Sequence, residues 1–254
     1  MISRLDQNIL RTIAVDMLVE AKTTSFSWFQ QIRNICLQYQ LPHPLRILEN
    51  PPTKLVFKKL CKLKVIDFWR KELQLKAERL DSLKYFKPEF LSLTTPHPIF
   101  TSLNGNPYEN QKAKIQSRFI SGRYRTERLC RFWSSNKAGI CLLDSCRHQH
   151  IPEDLDHILF SCDGLSDTRT RLLEFTSKYV ADKLILKPII DAYLYASRDL
   201  FCQFIVDCSV LPPVISLYQM YGPTIHEHLY HITRTWCHSL HRDRLRHLGR
   251  WIAF

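Results

Sequence analysis

Cys141-Leu-Leu-Asp-Ser-Cys146-Arg-His148-Gln-His150-Ile-Pro152-Glu-Asp-Leu-Asp-His157-Ile-Leu-Phe-Ser-Cys162 gathers three thiols and several imidazoles into one short stretch. The spacing Cys-x4-Cys-x10-His-x4-Cys supplies a close pair, a spacer and a second pair. That is how a tetrahedral Zn2+ ion usually takes four Cys/His ligands, here Cys141, Cys146, His157 and Cys162. A segment this short buries no core of its own, so metal bonds are an economical way to fold it. Between the first two thiols, Asp144 and Ser145 are turn formers that bring the chain back. Pro152-Glu153-Asp154 reads as a helix start with acids in its first turn, and His157 projects from that helix. At about 100° per residue, position 162 of an unbroken helix would lie roughly 140° further round than position 157. The helix is therefore expected to end or tighten near Phe160-Ser161, with Asp163-Gly164 turning the chain away. His148 and His150 compete for the imidazole role. His157 ranks first because it shares a candidate helix with the approach to Cys162. With four protein ligands the ion would be structural, because a catalytic zinc keeps a position open for water.

Just upstream lies the densest positive stretch. Lys112, Lys114, Arg118, Arg123, Arg125, Arg128, Arg131 and Lys137 face only Glu109 and Glu127 nearby. Tyr124, Phe132 and Trp133 are interleaved, and aromatic rings beside guanidinium groups suit stacking on unpaired bases with phosphate contact. Alternatively, Phe132 and Trp133 pack the zinc segment onto the helices. The candidate nucleic-acid contacts are Arg118, Arg123, Arg125, Arg128, Arg131 and Lys137.

The rest of the 254-residue chain reads as helix. It has only six glycines and many Leu, Ile, Lys, Arg and Gln, which favours helix over sheet. Ile2, Leu5, Ile9, Ile13, Met17 and Leu18 recur at helical spacing. A second helix is expected from Ser27 to Gln40, with Phe29, Ile32, Cys36 and Leu37 inward and Pro42 and Pro44 as its stop. A long basic helix should run from Thr53 to about Leu83, apolar at Leu60, Leu63, Phe68, Leu73 and Leu80. Its lysines read as a solvated face. Residues 84–106 read as an irregular connector. Asn106-Pro107-Tyr108-Glu109 starts a helix with a cap, a first-position proline and an early acid, and Ser121-Gly122 ends it. The last third is helical, broken by Pro188, Pro212-Pro213 and Pro223. Its final stretch, Thr224 to Ile252, carries Leu229, Ile232, Trp236, Leu240, Leu245, Leu248 and Trp251 and is expected to close a bundle.

Lys+Arg exceed Asp+Glu by 36 to 24, a formal charge of +12 that favours polyanionic partners. The opening residues lack an apolar signal core, and no run approaches the ~18 apolar residues of a membrane span. Reduced thiols in a nuclear or cytoplasmic setting are expected, with no membrane partner. The other cysteines, Cys36, Cys61, Cys130, Cys202, Cys208 and Cys237, read as small buried side chains.

Four stretches resemble a known family. Ser121-Gly-Arg-Tyr-Arg-Thr-Glu127, Arg131-Phe-Trp-Ser-Ser-Asn136, Gly139-Ile-Cys-Leu-Leu143 and Glu153-Asp-Leu-Asp-His-Ile-Leu159 look like the C-terminal region of non-LTR (LINE-type) retrotransposon reverse transcriptases. Trp28-Phe-Gln-Gln-Ile-Arg33, Leu41-Pro-His-Pro-Leu45 and Asn106-Pro-Tyr108 resemble the linker that follows the polymerase there. The resemblance covers roughly residues 25–175. It implies that Cys141, Cys146, His157 and Cys162 form a zinc knuckle downstream of a polymerase, helping to bind element RNA or target DNA. The paired carboxylates that hold polymerase metals are missing: Asp156, Asp163 and Asp167 fall in the zinc segment, and Asp16 stands alone. The expectation is a mostly α protein, with a helical linker and a C-terminal helical bundle around a small Cys-Cys-His-Cys knuckle. Its parts are residues 1–106, 107–165 and 166–254. It would bind nucleic acid without catalysis of its own; a helical protein-interaction scaffold with a purely structural zinc is the alternative.

Overall fold

The computed structural model describes residues 4–20, 27–92, 95–103, 105–132 and 138–249. Ile2, Trp133, Lys137, Trp251 and Ile252 lie outside the described residues, as does the side chain of Leu5. The described residues hold no strand, only one isolated antiparallel bridge between Ile140 and Pro152. The α-helices run in the order α1 Arg4–Glu20, α2 Trp28–Gln38, α3 Pro44–Glu49, α4 Lys54–Arg79, α5 Pro98–Thr101, α6 Pro107–Ile120 and α7 Glu127–Cys130. They continue with α8 Asp144–Arg147, α9 Ser166–Val180, α10 Lys187–Leu194, α11 Arg198–Val206, α12 Pro212–Tyr221 and α13 Thr224–His247. The mostly α architecture expected from the sequence is what the chain adopts. It divides into two compact units, residues 1–73 and 74–254, with the boundary inside α4.

In the first unit α1 packs on α2 and α3. Ser27 caps α2 by accepting from the Gln30 amide. The apolar stripe of α1 is largely unburied: Leu18 is covered, but Ile9, Ile13 and Met17 remain about half exposed. Leu37 of α2 also faces outward, and Gln30 is buried instead. Pro44 does not merely stop a helix; it opens α3, whose His43 Nδ1 accepts from the Leu45 amide. The expected stripe of α4 is not a core stripe, because α4 has no buried residue and Leu63 and Leu80 are exposed.

The second unit is built around α13. This helix packs against α6, α9, α11 and α12, burying Leu229, Ile232, Trp236 and Leu240 completely. It closes a bundle, as its periodicity suggests. Its partners are fixed by polar bonds as well as by apolar area. The Trp236 indole donates to Thr176 Oγ1 at 3.0 Å, and the Gln116 amide donates to the Ile205 and Val206 carbonyls and to Thr233. The prolines of this region start helices more than they break them: Pro188 and Pro212-Pro213 sit in the first turns of α10 and α12. Residues 84–106 are also more than a connector. Tyr85 and Ile99 are core residues, and the Arg234 guanidinium donates to the Ile99 carbonyl.

Helix α6 follows its sequence signals closely. Asn106 Oδ1 accepts from the Tyr108 amide, Pro107 takes the first position, and Gly122 ends the helix at φ +64°. A Cβ at Gly122 would stand 2.7 Å from the Ser82 carbonyl oxygen and 2.9 Å from Leu83 Cδ2. Gly122→Ala should therefore cost about 2–4 kcal/mol, combining left-handed strain with a clash against backbone. Gly105→Ala, also at positive φ but with nothing within 4 Å, should cost less. Urea titrations of both variants check the ranking, and equal losses would refute it.

Candidate metal centre

Residues 138–165 fold as two short arms brought together by backbone pairing. The Cys141 amide donates to the Ile151 carbonyl at 2.8 Å and the Glu153 amide to the Gly139 carbonyl at 3.1 Å. This places Cys141 beside the chain that leads to His157. The four residues after Cys141 turn into α8, where the Cys146 amide donates to the Leu143 carbonyl. Asp154 begins the next helix by accepting from the His157 amide at 2.8 Å. The expected start is corrected here: Pro152 belongs to the bridge and the fully buried Glu153 precedes the helix, which leaves Asp154 as the acid at its start.

From His157 to Ser161 the helix is a π-turn, closed by the Cys162 amide donating to the His157 carbonyl at 2.7 Å. Sequence geometry demanded that the helix end or tighten here. It does end at Ser161, but by widening. An i→i+5 bond makes residues five apart neighbours on successive turns, so the wider turn returns position 162 to the side of position 157. A 3-10 turn at Asp163–Leu165 then leads into α9. Gly164 lets this turn approach the first arm: a Cβ there would stand 2.9 Å from Leu143 Cδ1 and 3.0 Å from Ser145 Oγ.

The outcome is a cluster. One ligand atom each from Cys141, Cys146, His157 and Cys162 lies within 4.8 Å of the others, and all four residues are buried. The Sγ atoms of Cys141 and Cys162 are 3.9 Å apart, and those of Cys146 and Cys162 are 3.7 Å apart. These separations are far beyond the about 2.05 Å of a disulfide. His157 Nδ1 has Ser161 Oγ at 3.4 Å, while Nε2 is buried without any hydrogen-bond partner. A buried nitrogen left without a donor or acceptor is costly, and a cation would satisfy it. The thiols do not ionise alike. The hydrogen bond from Cys162 pulls Cys141 well below the ordinary thiol range, whereas that same contact, together with burial, pushes Cys162 far above it. A coordinated divalent ion is what would let all three sulfurs ionise together. The residues present thus fit a metal ion. His148 and His150 are exposed and outside the cluster.

Three charged residues assigned no role at the site from the sequence, Glu153, Arg244 and Arg169, bond to or beside the ligand segment. Glu153 accepts from Arg244 Nε at 2.9 Å and from Arg244 Nη2 at 2.6 Å, and its Oε2 also accepts from the Glu127 amide at 2.7 Å. Arg169 Nη2 donates to the Cys162 carbonyl at 2.6 Å. Burial pulls the Arg169 guanidinium below its ordinary value, and the neighbours opposing this are Cys162, Asp163 and Cys146.

The basic stretch beside the centre divides in two. Arg118, Arg123, Arg125 and Arg131 are exposed, and among the described residues none of them is paired with a carboxylate. Arg128 is exposed but engaged with Asp81 at 2.6 Å and Asp154 at 3.2 Å. Lys112 is buried, bonded to Glu109 at 2.8 Å and to Thr235, so it belongs to the interior and not to a phosphate surface. Tyr124 is likewise interior, stacked on Phe119 at 3.9 Å and hydrogen-bonded to His241. Phe132 is 79% exposed.

No helix of the described residues is long and apolar enough to cross a membrane. No family model, no curated protein and no solved structure matches the chain.

Proposed function

We propose that this chain is a nucleic-acid-binding module, without catalysis of its own, whose Cys-Cys-His-Cys centre is a closed structural Zn2+ site. The observation that carries the metal reading is the sulfur spacing. Zinc–sulfur bonds of about 2.3 Å at tetrahedral angles put sulfurs about 3.8 Å apart. The separations of Cys141 and Cys146 from Cys162, 3.9 and 3.7 Å, bracket that edge length. Four protein ligands leave no water position, so the ion organises the loop and performs no hydrolysis.

The nucleic-acid reading rests on Arg118, Arg123, Arg125 and Arg131, all exposed and close in sequence to the exposed Phe132, and on the net charge of +12. Guanidinium groups without acid partners are free to meet phosphates, and an exposed aromatic ring stacks on bases of any sequence. The resemblance to the post-polymerase region of non-LTR reverse transcriptases supports the same reading and makes RNA or DNA of such an element the natural ligand, in a nuclear or cytoplasmic setting. The scaffold alternative would need a surface other than the apolar face of α13, since that face is inside the bundle.

Four phosphate contacts to single-stranded RNA predict a slope of about −3 in log K against log salt. Arg123→Gln/Arg125→Gln should roughly halve that slope while leaving the circular dichroism spectrum unchanged. Fluorescence anisotropy with a labelled single-stranded RNA between 50 and 200 mM salt, chosen to span the range where counterion release dominates, reads it directly. Binding that ignores salt would remove this reading.

A further inference from the structure

We propose that Arg169 is the half-buried counter-cation of the metal centre, a positioning residue supplied by α9 from outside the ligand-bearing segment. The inference rests on the reading of the cluster as a metal site and adds a requirement to it. Three thiolates, a neutral imidazole and a dipositive ion sum to one net negative charge. That charge would sit on Cys141, Cys146 and Cys162, each fully buried, with His157 2% exposed. Removing an uncompensated charge from water is expensive, so a buried anionic centre calls for a cation at close range.

Arg169 is placed to supply it. It stands one turn into α9, and its Nη2 is anchored on the carbonyl of Cys162, itself one of the ligands. Its other terminal nitrogen, Nη1, is buried and has no hydrogen-bond partner. Among the described residues no carboxylate makes an ion pair with it. A guanidinium held by a ligand's own backbone, with a second donor buried and unpartnered, brings to the cluster a charge that is not committed to a carboxylate ion pair. Arginine suits this role because its charge is permanent and its donors are spread over a rigid fork. The neighbouring arginine of the same helix, Arg171, is exposed and committed to Asp243 and Thr168, so it does not substitute.

The test separates charge from hydrogen bonding in the full-length chain. Arg169→Gln keeps a donor for the Cys162 carbonyl and removes the charge; Arg169→Lys keeps the charge and simplifies the donor set. Metal affinity is measured by competition of a chromophoric chelator against Co2+ and Zn2+, with fold monitored through far-ultraviolet circular dichroism. The Gln variant should bind metal about 10–100-fold more weakly, and the Lys variant should stay within about threefold of the parent. Equal losses in the two variants, or no loss in the Gln variant, would overturn the proposal. A chain that folds in neither form would do the same, by making Arg169 a structural strut. Failure of the parent chain itself to bind Co2+ would instead remove the metal reading beneath it.

Discussion

Removing the metal, by chelation or by Cys146→Ser, is expected to unfold residues 139–165 while the pairing of α6 with α13 persists. The reason lies in the ligand cluster itself. Backbone ties of the loops include the Cys141, Glu153, Cys146 and Arg147 amide bonds and the π-turn. Against these stand three buried thiols and a buried, partnerless imidazole nitrogen crowded within 4.8 Å. Without a cation the charges cannot be shared, and the segment gains by opening to water. Because Leu143, Leu155, Ile158, Leu159 and Leu165 are core residues, opening also exposes apolar surface and lowers global stability. A metal present at a thousand times its dissociation constant contributes about 4 kcal/mol, so stripping it should cost at least that much. Hydrogen exchange gives the local readout. The Cys141, Cys146 and Cys162 amides should lose protection on chelation, while those of Leu229 to Leu240 keep theirs. Protection that survives chelation, with no thiolate-to-Co2+ absorption on titration, would end the metal reading.

The parts of this molecule that were legible in its sequence are those governed by neighbours in the chain. The cap and terminator of α6 were readable because Asn106-Pro107 and Gly122 act within four residues of themselves. The ligand set was readable because thiols and imidazoles at close spacing are chemically narrow. The way position 162 returns to position 157 was readable as a demand, but not as a π-turn. Tightening to three residues per turn would leave position 162 about 240° round from position 157, whereas the wider i→i+5 turn seen here brings it back. Charge was the least legible property. Lys112, Arg128 and Arg123 look alike in the sequence, yet one is interior, one is paired with two aspartates and one is free. Arg128 is engaged by aspartates tens of residues away, and Lys112, although its acid Glu109 is a near neighbour in the chain, also bonds to Thr235 of α13. Tyr124 was misjudged for the same reason, because its stacking partner and its hydrogen-bond partner His241 are set by the fold.

Glu153→Ala is expected to destabilise the second unit by about 3–5 kcal/mol, close to what Arg244→Met costs, with the double variant Glu153→Leu/Arg244→Met less destabilised than the sum. Glu153 is fully buried, and Arg244 is 3% exposed. Burial works against the charge on Arg244, but the Glu153 hydrogen bonds outweigh it and hold the guanidinium above its ordinary value. Truncating either partner leaves the other charge in the interior. For Arg244 the fallback is Glu127 Oε1 at 3.9 Å, too long for a strong bond, and for Glu153 it is the Glu127 amide alone. The pair also joins three pieces of chain that nothing local would unite. Its carboxylate receives the first amide of α7, its backbone pairs with Gly139 and Arg128, and its guanidinium belongs to α13. Losing it should therefore loosen the metal arm from the bundle, so Glu153→Ala should raise the metal dissociation constant as well as lower the melting temperature. The two effects should fall together when Arg244→Met is measured. If Glu153→Ala lowered the melting temperature by several degrees with metal affinity unchanged, the pair would be a bundle contact only, and the centre would be held by its own loops. A strictly additive double variant would show that the two side chains act independently, against the bidentate geometry that places them 2.6 and 2.9 Å apart.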